Sequence, residues 1–152
     1  MKLSELLGKN NIIDSLKGHD KRAILQEFSE LAEKIMPHLK ASQVLEILQG
    51  REQLGSTAVG NGVAIPHGKI PGLDHIIALF GRSKKGIDFQ AHDEKLTQLF
   101  FVLLAPETAI GNHLQALARL SRLLKDARLR EKLVSCPLSE LHALLIAEDE
   151  KI

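Results

Sequence analysis

Apolar residues recur at helical spacing from Lys21 to Met36, where Ile24, Leu25, Phe28, Leu31, Ala32 and Ile35 share one face behind Asp20, a side chain suited to an N-cap. The pattern predicts a helix that Pro37 ends. A second stripe, Val44, Leu45 and Leu48 after Ser42, predicts a shorter helix closing near Gly50 to Glu52. Beyond it the periodicity changes. From Leu54 to Gly72 the chain carries five glycines and two prolines among small and β-branched residues, which excludes a helix. Short extended pieces are expected there, Thr57–Val59 and Val63–Ile65, joined by tight glycine turns. Two further extended runs follow, Ile76–Phe80 and Gln98–Leu104. The second is almost continuously apolar, as in a strand covered on both faces, although periodicity alone does not separate it from a short buried helix.

The remainder reads as helix. Leu114, Leu117, Ala118 and Leu124 form a stripe after Asn112, followed by Leu129, Leu133 and Val134 and then by Leu138, Leu141 and Leu145, with Pro137 between the last two groups. Helices at both ends around central short strands predict an α/β fold, a single-domain sandwich whose central mixed β-sheet is flanked by helices on both faces. Nothing divides residues 1–152 into parts: there is no linker, no low-complexity tract and no repeat. A chain of 152 residues is long enough to bury a core of its own.

Charge narrows the functions open to such a domain. Twenty basic residues against nineteen acidic ones leave a net charge of +1, with no Trp, no Tyr and five Phe, so neither a basic patch nor base-stacking platforms point to nucleic acid. The longest apolar run, Leu99 to Ala105, is far short of the roughly 20 residues of a membrane helix. Met1 to Leu7 has neither the apolar core nor the cleavage site of a signal peptide, and Cys136 is the only cysteine. A cytoplasmic location without membrane insertion is expected.

The chemistry concentrates at Ile65-Pro66-His67-Gly68, the end of the glycine-rich stretch. Pro66 fixes its own φ and biases Ile65 towards extended backbone, which presents the His67 imidazole from a stiff base. Gly68 has no side chain, leaving room for another macromolecule to approach the ring. A neutral imidazole is nucleophilic near pH 7, and a phosphorylated ring nitrogen is a good leaving group. Pro-His-Gly also reads as a simple turn. Phosphoryl transfer needs charge stabilisation around the equatorial oxygens. Arg51, at the end of the second helix, and His113, behind Gly111-Asn112 where free helix N–H groups favour anions, are the candidates.

Arg51-Glu52-x-x-Gly55-Ser56-Thr57, then Gly60-Asn61-Gly62-Val63-Ala64-Ile65-Pro66-His67-Gly68-Lys69, and later Asn112-His113-Leu114 before an amphipathic helix, resemble the enzyme IIA domain of the fructose/mannitol type, from the bacterial phosphoenolpyruvate-dependent phosphotransferase system. The likeness covers nearly the whole chain. It implies that His67 accepts phosphate on Nε2 from the phosphohistidine of a small HPr- or NPr-like phosphocarrier protein, with Arg51 and His113 as stabilisers. It also implies a pocket shaped by Ser56, Thr57, Asn61 and the Gly60–Gly62 backbone, with no metal and no cofactor. Asn61 stands where many sugar-transport members carry Glu. This resembles the nitrogen-regulatory branch, whose members act by binding other proteins in one phosphorylation state, and it removes a negative charge from the expected neighbourhood of the phosphate.

Two alternatives stay open: a sugar-specific IIA component that hands phosphate to a IIB component, and a non-catalytic sensor that uses the same pocket for an anion or a partner. Val63, Ile65, Ile70 and Leu73 are possible contributors to an apolar docking rim, or equally to the core. The histidines at 19, 38, 75, 92 and 142 lack metal-ligand spacing. Gly60-x-Gly62 is too short for a dinucleotide fingerprint. Cys136 suits a small buried apolar position, and Lys84-Lys85 a solvated turn.

Overall fold

The computed structural model describes residues 1–152. The chain runs α1 (Leu3–Leu6), β1 (Ile12–Ile13), α2 (Lys21–Ile35), α3 (Ala41–Gln53), β2 (Ala58–Gly60), β3 (Val63–Ala64), β4 (His67–Lys69), β5 (Ile77–Ile87), β6 (Thr97–Ala105), α4 (Gly111–Leu123), α5 (Ala127–Ser135) and α6 (Leu138–Glu150). Asp20 caps α2 as expected, accepting from the Ala23 N–H. α1 and β1 leave no trace in the periodicity, because four and two residues are too few to show one.

The six strands form one mixed sheet in the order β1-β5-β6-β3-β2, with β4 also paired to β6. β5 and β6 run antiparallel at its centre, and β1, β3 and β4 pair in parallel. Gln98–Leu104 is therefore a strand, and its continuous apolar run follows from cover on both faces. β5 runs seven residues past Phe80, through Lys84 and Lys85, which are solvated as expected but extended rather than turned. Its polar extension is tolerated because buried Arg82 donates to the Asp14 carboxylate and to the Leu133 carbonyl.

Alternation along the strands sorts two cores. Val63, Ile65, Leu99, Phe101 and Leu103 pack with α1, α4, α5 and α6 on one face; Ala64, Phe100, Val102 and Leu104 pack with α2 and α3 on the other. Helices flank both faces of the sheet, as the sequence predicts.

Val63–Lys69 is one extended stretch laid along β6, with Val63 opposite Leu99 and His67 opposite Leu103. Pro66 sits just before β4, where its carbonyl accepts from the Leu103 N–H and no N–H of its own is required. The turn reading of Pro-His-Gly is thus replaced by a strand. Gly68 has a different task from the one its sequence suggests: a Cβ there would lie 2.7 Å from Ile47 Cγ2, so the missing side chain seats α3 against β4 instead of clearing a path to the ring. Gly68→Ala is expected to destabilise the fold by about 1–3 kcal/mol through overpacking. Thermal unfolding of Gly68→Ala, Ile47→Ala and the double variant checks this, the double being more stable than the sum of the two single losses predicts.

Candidate functional site

His67 continues the Val63, Ile65 alternation and so faces the same side of the sheet as α4, at the strand that carries no β partner on its outer side. Its Nδ1 lies 2.7 Å from the Ile65 carbonyl oxygen. A carbonyl only accepts, so Nδ1 holds the proton and Nε2 the lone pair. Arg51 Nε, which only donates, lies 3.3 Å from that Nε2 and is consistent with the same tautomer. Arg51 comes from the last turn of α3, on the opposite face, and reaches His67 beside the edge strand.

His113 completes the group from the other side. It occupies the first turn of α4, is buried, and stacks edge-on against His67 with ring centroids 5.4 Å apart and planes inclined by 64°. No side chain caps α4, whose N-cap position is Ile110 rather than Asn112, so the N–H groups of its first turn stay free. His113 Nδ1 is buried with no hydrogen-bond partner. A half-buried nucleophilic nitrogen thus lies between a guanidinium and a helix N-terminus bearing a second imidazole, an arrangement suited to an anion. No group of three or more His, Cys, Asp or Glu side chains is placed to hold a metal ion.

The family model described as phosphoenolpyruvate-dependent sugar phosphotransferase system, EIIA 2, matches residues 5–147. The chain belongs to this family. It is 44% identical over 133 residues to a nitrogen regulatory protein of Bradyrhizobium diazoefficiens, covering 88% of this chain and 86% of that protein. Its fold is similar to the crystal structure of nitrogen regulatory protein IIA-Ntr from Neisseria meningitidis, with a TM-score of 0.86, 35% identity, and 93% and 97% of the two chains covered. A likeness of fold alone, at 22% identity and a TM-score of 0.77, extends to enzyme IIAMTL of Escherichia coli, solved in complex with phosphorylated enzyme IIBMTL; it covers 93% of this chain and 99% of that one.

Not every residue picked out by the EIIA motif reaches the ring. Thr57 is buried and gives both its N–H and its hydroxyl to Glu52, while the Ser56 hydroxyl bonds the Phe89 carbonyl and accepts from the Ala58 N–H. Both build the loop behind Arg51. Asn61 lies farther away. The β2–β3 turn that holds it sits beside Thr97 and Gln98, about six residues along β6 from the partner of His67, or roughly 20 Å at the rise of a strand. The Gly60–Gly62 backbone therefore does not wall the ring. Asn61 and Gly62 have φ of 57° and 78°, the left-handed pair a two-residue hairpin turn requires. Asn tolerates that conformation better than Glu, which explains Asn61 without reference to a nearby phosphate.

The expected docking rim is also relocated. Val63, Ile65, Ile70 and Leu73 are all core. Exposed apolar side chains instead flank the residues that converge: Leu54 follows α3 three residues after Arg51, and Ile110 and Leu114 bracket His113, with exposures of 85%, 65% and 62%. Their positions at the two helix ends are legible only once those ends are known to meet. Lys69 was likewise missed as a neighbour; it lies two residues beyond His67 on the same strand face, and its charge acts on His113.

Burial is the main cause lowering the pKa of both imidazoles below their ordinary 6.5. At His67 the Ile65 carbonyl opposes the shift, Arg51 adds to it and Glu52 opposes it; at His113 the charges of His67 and Lys69 add to it. The neutral, nucleophilic form of His67 therefore persists below pH 6.5. The unfolded chain binds more protons than the folded one in that range, so these groups make stability fall as pH drops below 6.5. NMR titration is expected to give His67 and His113 midpoints under 6.5, with the His67 midpoint rising in Arg51→Gln. Asn61→Glu is expected to cost about 1 kcal/mol in denaturant unfolding. It should leave the His67 midpoint unchanged, because a charge roughly 20 Å away lies well beyond the Debye length.

Proposed function

We propose that His67 is the phosphoacceptor of a regulatory phosphotransferase-system IIA protein, taking its phosphoryl group from the phosphohistidine of an HPr- or NPr-like carrier. The observation that carries this reading is the fixed tautomer: Nδ1–H held by the Ile65 carbonyl and the Nε2 lone pair facing Arg51. Attack by that lone pair on phosphorus forms the new N–P bond as the donor's N–P bond breaks, its electron pair returning to the donor ring. The proton stays on Nδ1, hydrogen-bonded to the Ile65 carbonyl, throughout. The modified ring is then cationic, which keeps the ring a good leaving group when the phosphoryl group is passed on.

Arg51 moves from the ring nitrogen to the equatorial oxygens as the bond forms, a charge-assisted contact that replaces the one it gives up. His113 and the first-turn N–H groups of α4 face the same oxygens from the other side. The carrier protein docks against Leu54, Ile110 and Leu114, and the relay needs only a small transient interface. Downstream, the phosphorylation state decides which regulated protein binds. A IIB component would be the acceptor if the chain served sugar transport instead, and a sensor would hold an anion in the same place without modification.

Labelled phosphate passed from phosphoenolpyruvate through purified upstream phosphotransferase proteins is expected to reach the wild-type chain as an acid-labile, alkali-stable adduct. His67→Ala should take none. Arg51→Ala and His113→Ala should each slow transfer by about 10²–10³-fold, the usual loss of one transition-state donor. Folded wild-type protein that stays unlabelled with several cognate donors, yet binds inorganic phosphate, would favour the sensor.

A further inference from the structure

Behind Arg51 lies a buried ionic cluster that the transfer chemistry does not itself use. The Glu52 side chain is only 5% exposed, and its carboxylate accepts from the Thr57 N–H at 3.1 Å, from the Thr57 hydroxyl, and from Lys21 Nζ at 2.9 Å. Lys21 is the first residue of α2, where the helix dipole disfavours a cation. It nonetheless spans to α3, bonds Gln90 Oε1 at 3.2 Å and lies 4.7 Å from the Phe89 ring centroid. The Ser56 hydroxyl anchors the adjoining loop to the Phe89 carbonyl.

The cluster ends on Arg51. Its Nη1 donates to the Gly55 carbonyl at 2.9 Å, while Nε of the same planar group points at His67 Nε2. Gly55 sits two residues before Thr57, and its N–H bonds the Glu52 carbonyl. A guanidinium fastened at one corner has its other donors aimed by that fastening. The direction of Arg51 Nε is thus set by where Gly55 sits, and Gly55 is held by the loop that Glu52 clamps at Thr57. A buried ion pair is a poor source of net stability, because desolvation offsets the attraction; what it supplies here is a fixed geometry.

We propose that the Lys21–Glu52–Thr57 cluster is the positioning element for Arg51, fixing the angle at which the guanidinium meets His67 and thereby the rate of phosphoryl transfer. The proposal rests on the phosphoacceptor reading above. Glu52 and Lys21 touch neither the ring nor a phosphoryl group; apart from the charge by which Glu52 opposes the lowering of the His67 pKa, they act through Arg51.

Glu52→Gln keeps the size of the side chain and an acceptor for the Thr57 N–H but removes the ion pair. It is expected to shift or broaden the Arg51 Nε–H signal in nitrogen-resolved NMR of the unphosphorylated protein. It should also slow phosphate transfer by about 10-fold or more, the scale of loss from a sub-ångström to ångström misplacement. In an Arg51→Ala background the same change should slow transfer by less than about 2-fold, since two residues acting as one unit do not add. An equal loss in both backgrounds, or an Arg51 Nε–H signal that Glu52→Gln leaves in place, would overturn the proposal. If Glu52→Gln does not fold, Thr57→Val removes one hydroxyl from the cluster and is expected to show the same non-additivity in weaker form. A wild-type chain that no donor phosphorylates would sink the transfer reading, and the Nε–H signal would still decide whether Glu52 positions Arg51.

Discussion

The site depends on how closely α3 can lie against an edge strand. At Gly68 a β-carbon would lie 2.7 Å from Ile47 Cγ2, so the glycine lets α3 seat its side chains directly on β4, and that contact helps set where the last turn of α3 emerges. Arg51 is on that turn, and β4 presents His67 one residue before the glycine. Had β4 been interior to the sheet, another strand would separate the two faces and the guanidinium could not pass beside it. The parallel pairing of β4 with β6 leaves its outer side free, which is the condition for residues from opposite layers to meet. Edge strands invite unwanted pairing. This one is three residues long and preceded by a proline, which limits that hazard.

The resting contact between Arg51 and His67 has two consequences that pull in opposite directions. A cation donating to Nε2 disfavours protonation of the ring, which keeps it neutral, and it also covers the lone pair that attacks in the proposed transfer. The two are compatible because the donor is a hydrogen bond of 3.3 Å, long enough to be weak, and because the incoming phosphoryl oxygens offer Arg51 a stronger partner. Only the ring nitrogen needs to be uncovered, and only while the phosphorus arrives. Nδ1, by contrast, is tied to a backbone carbonyl of the strand itself, so the tautomer does not depend on any mobile side chain.

How much of this could be read in advance depended on how local the signal was. The long helices, the strand nature of the glycine-rich stretch and the sandwich architecture follow from periodicity and composition, and His67 and Arg51 stand in a motif whose spacing is distinctive. His113 could be named a candidate from its place at a helix start, but its meeting with His67 could not be read, since nothing in the sequence shows that a residue 46 positions later returns to the same edge. Asn61 went astray for the opposite reason. The resemblance put it in the pocket, but an extended strand carries six residues roughly 20 Å from end to end. Gly68 was misread because a glycine records that something is close without recording what, and here the neighbour is Ile47 rather than a visiting protein. Of the buried residues offered as a docking rim, Val63 and Ile65 follow the alternation that is the ordinary mark of core, while Ile70 and Leu73, beyond β4, pack into the core on the opposite face.

The exposed apolar residues left at the two helix ends bear on how such a site would work. His67 is half-buried, and the exposed side chains of Leu54, Ile110 and Leu114 lie close in sequence to Arg51 and His113 at the two helix ends. In the proposed transfer, exclusion of water from a half-buried ring falls to the surface of the protein that docks there. A partner that covers the ring meets either a neutral imidazole beside a guanidinium or, in the proposed phosphorylated state, a dianionic phosphoryl group on a cationic ring, one net negative charge more, within an apolar frame. The frame is common to both states and sets the affinity that any partner shares; the centre differs and sets which state a partner prefers. In the proposed function, a charge change that is desolvated on docking would let one small group act as a signal as well as a cargo.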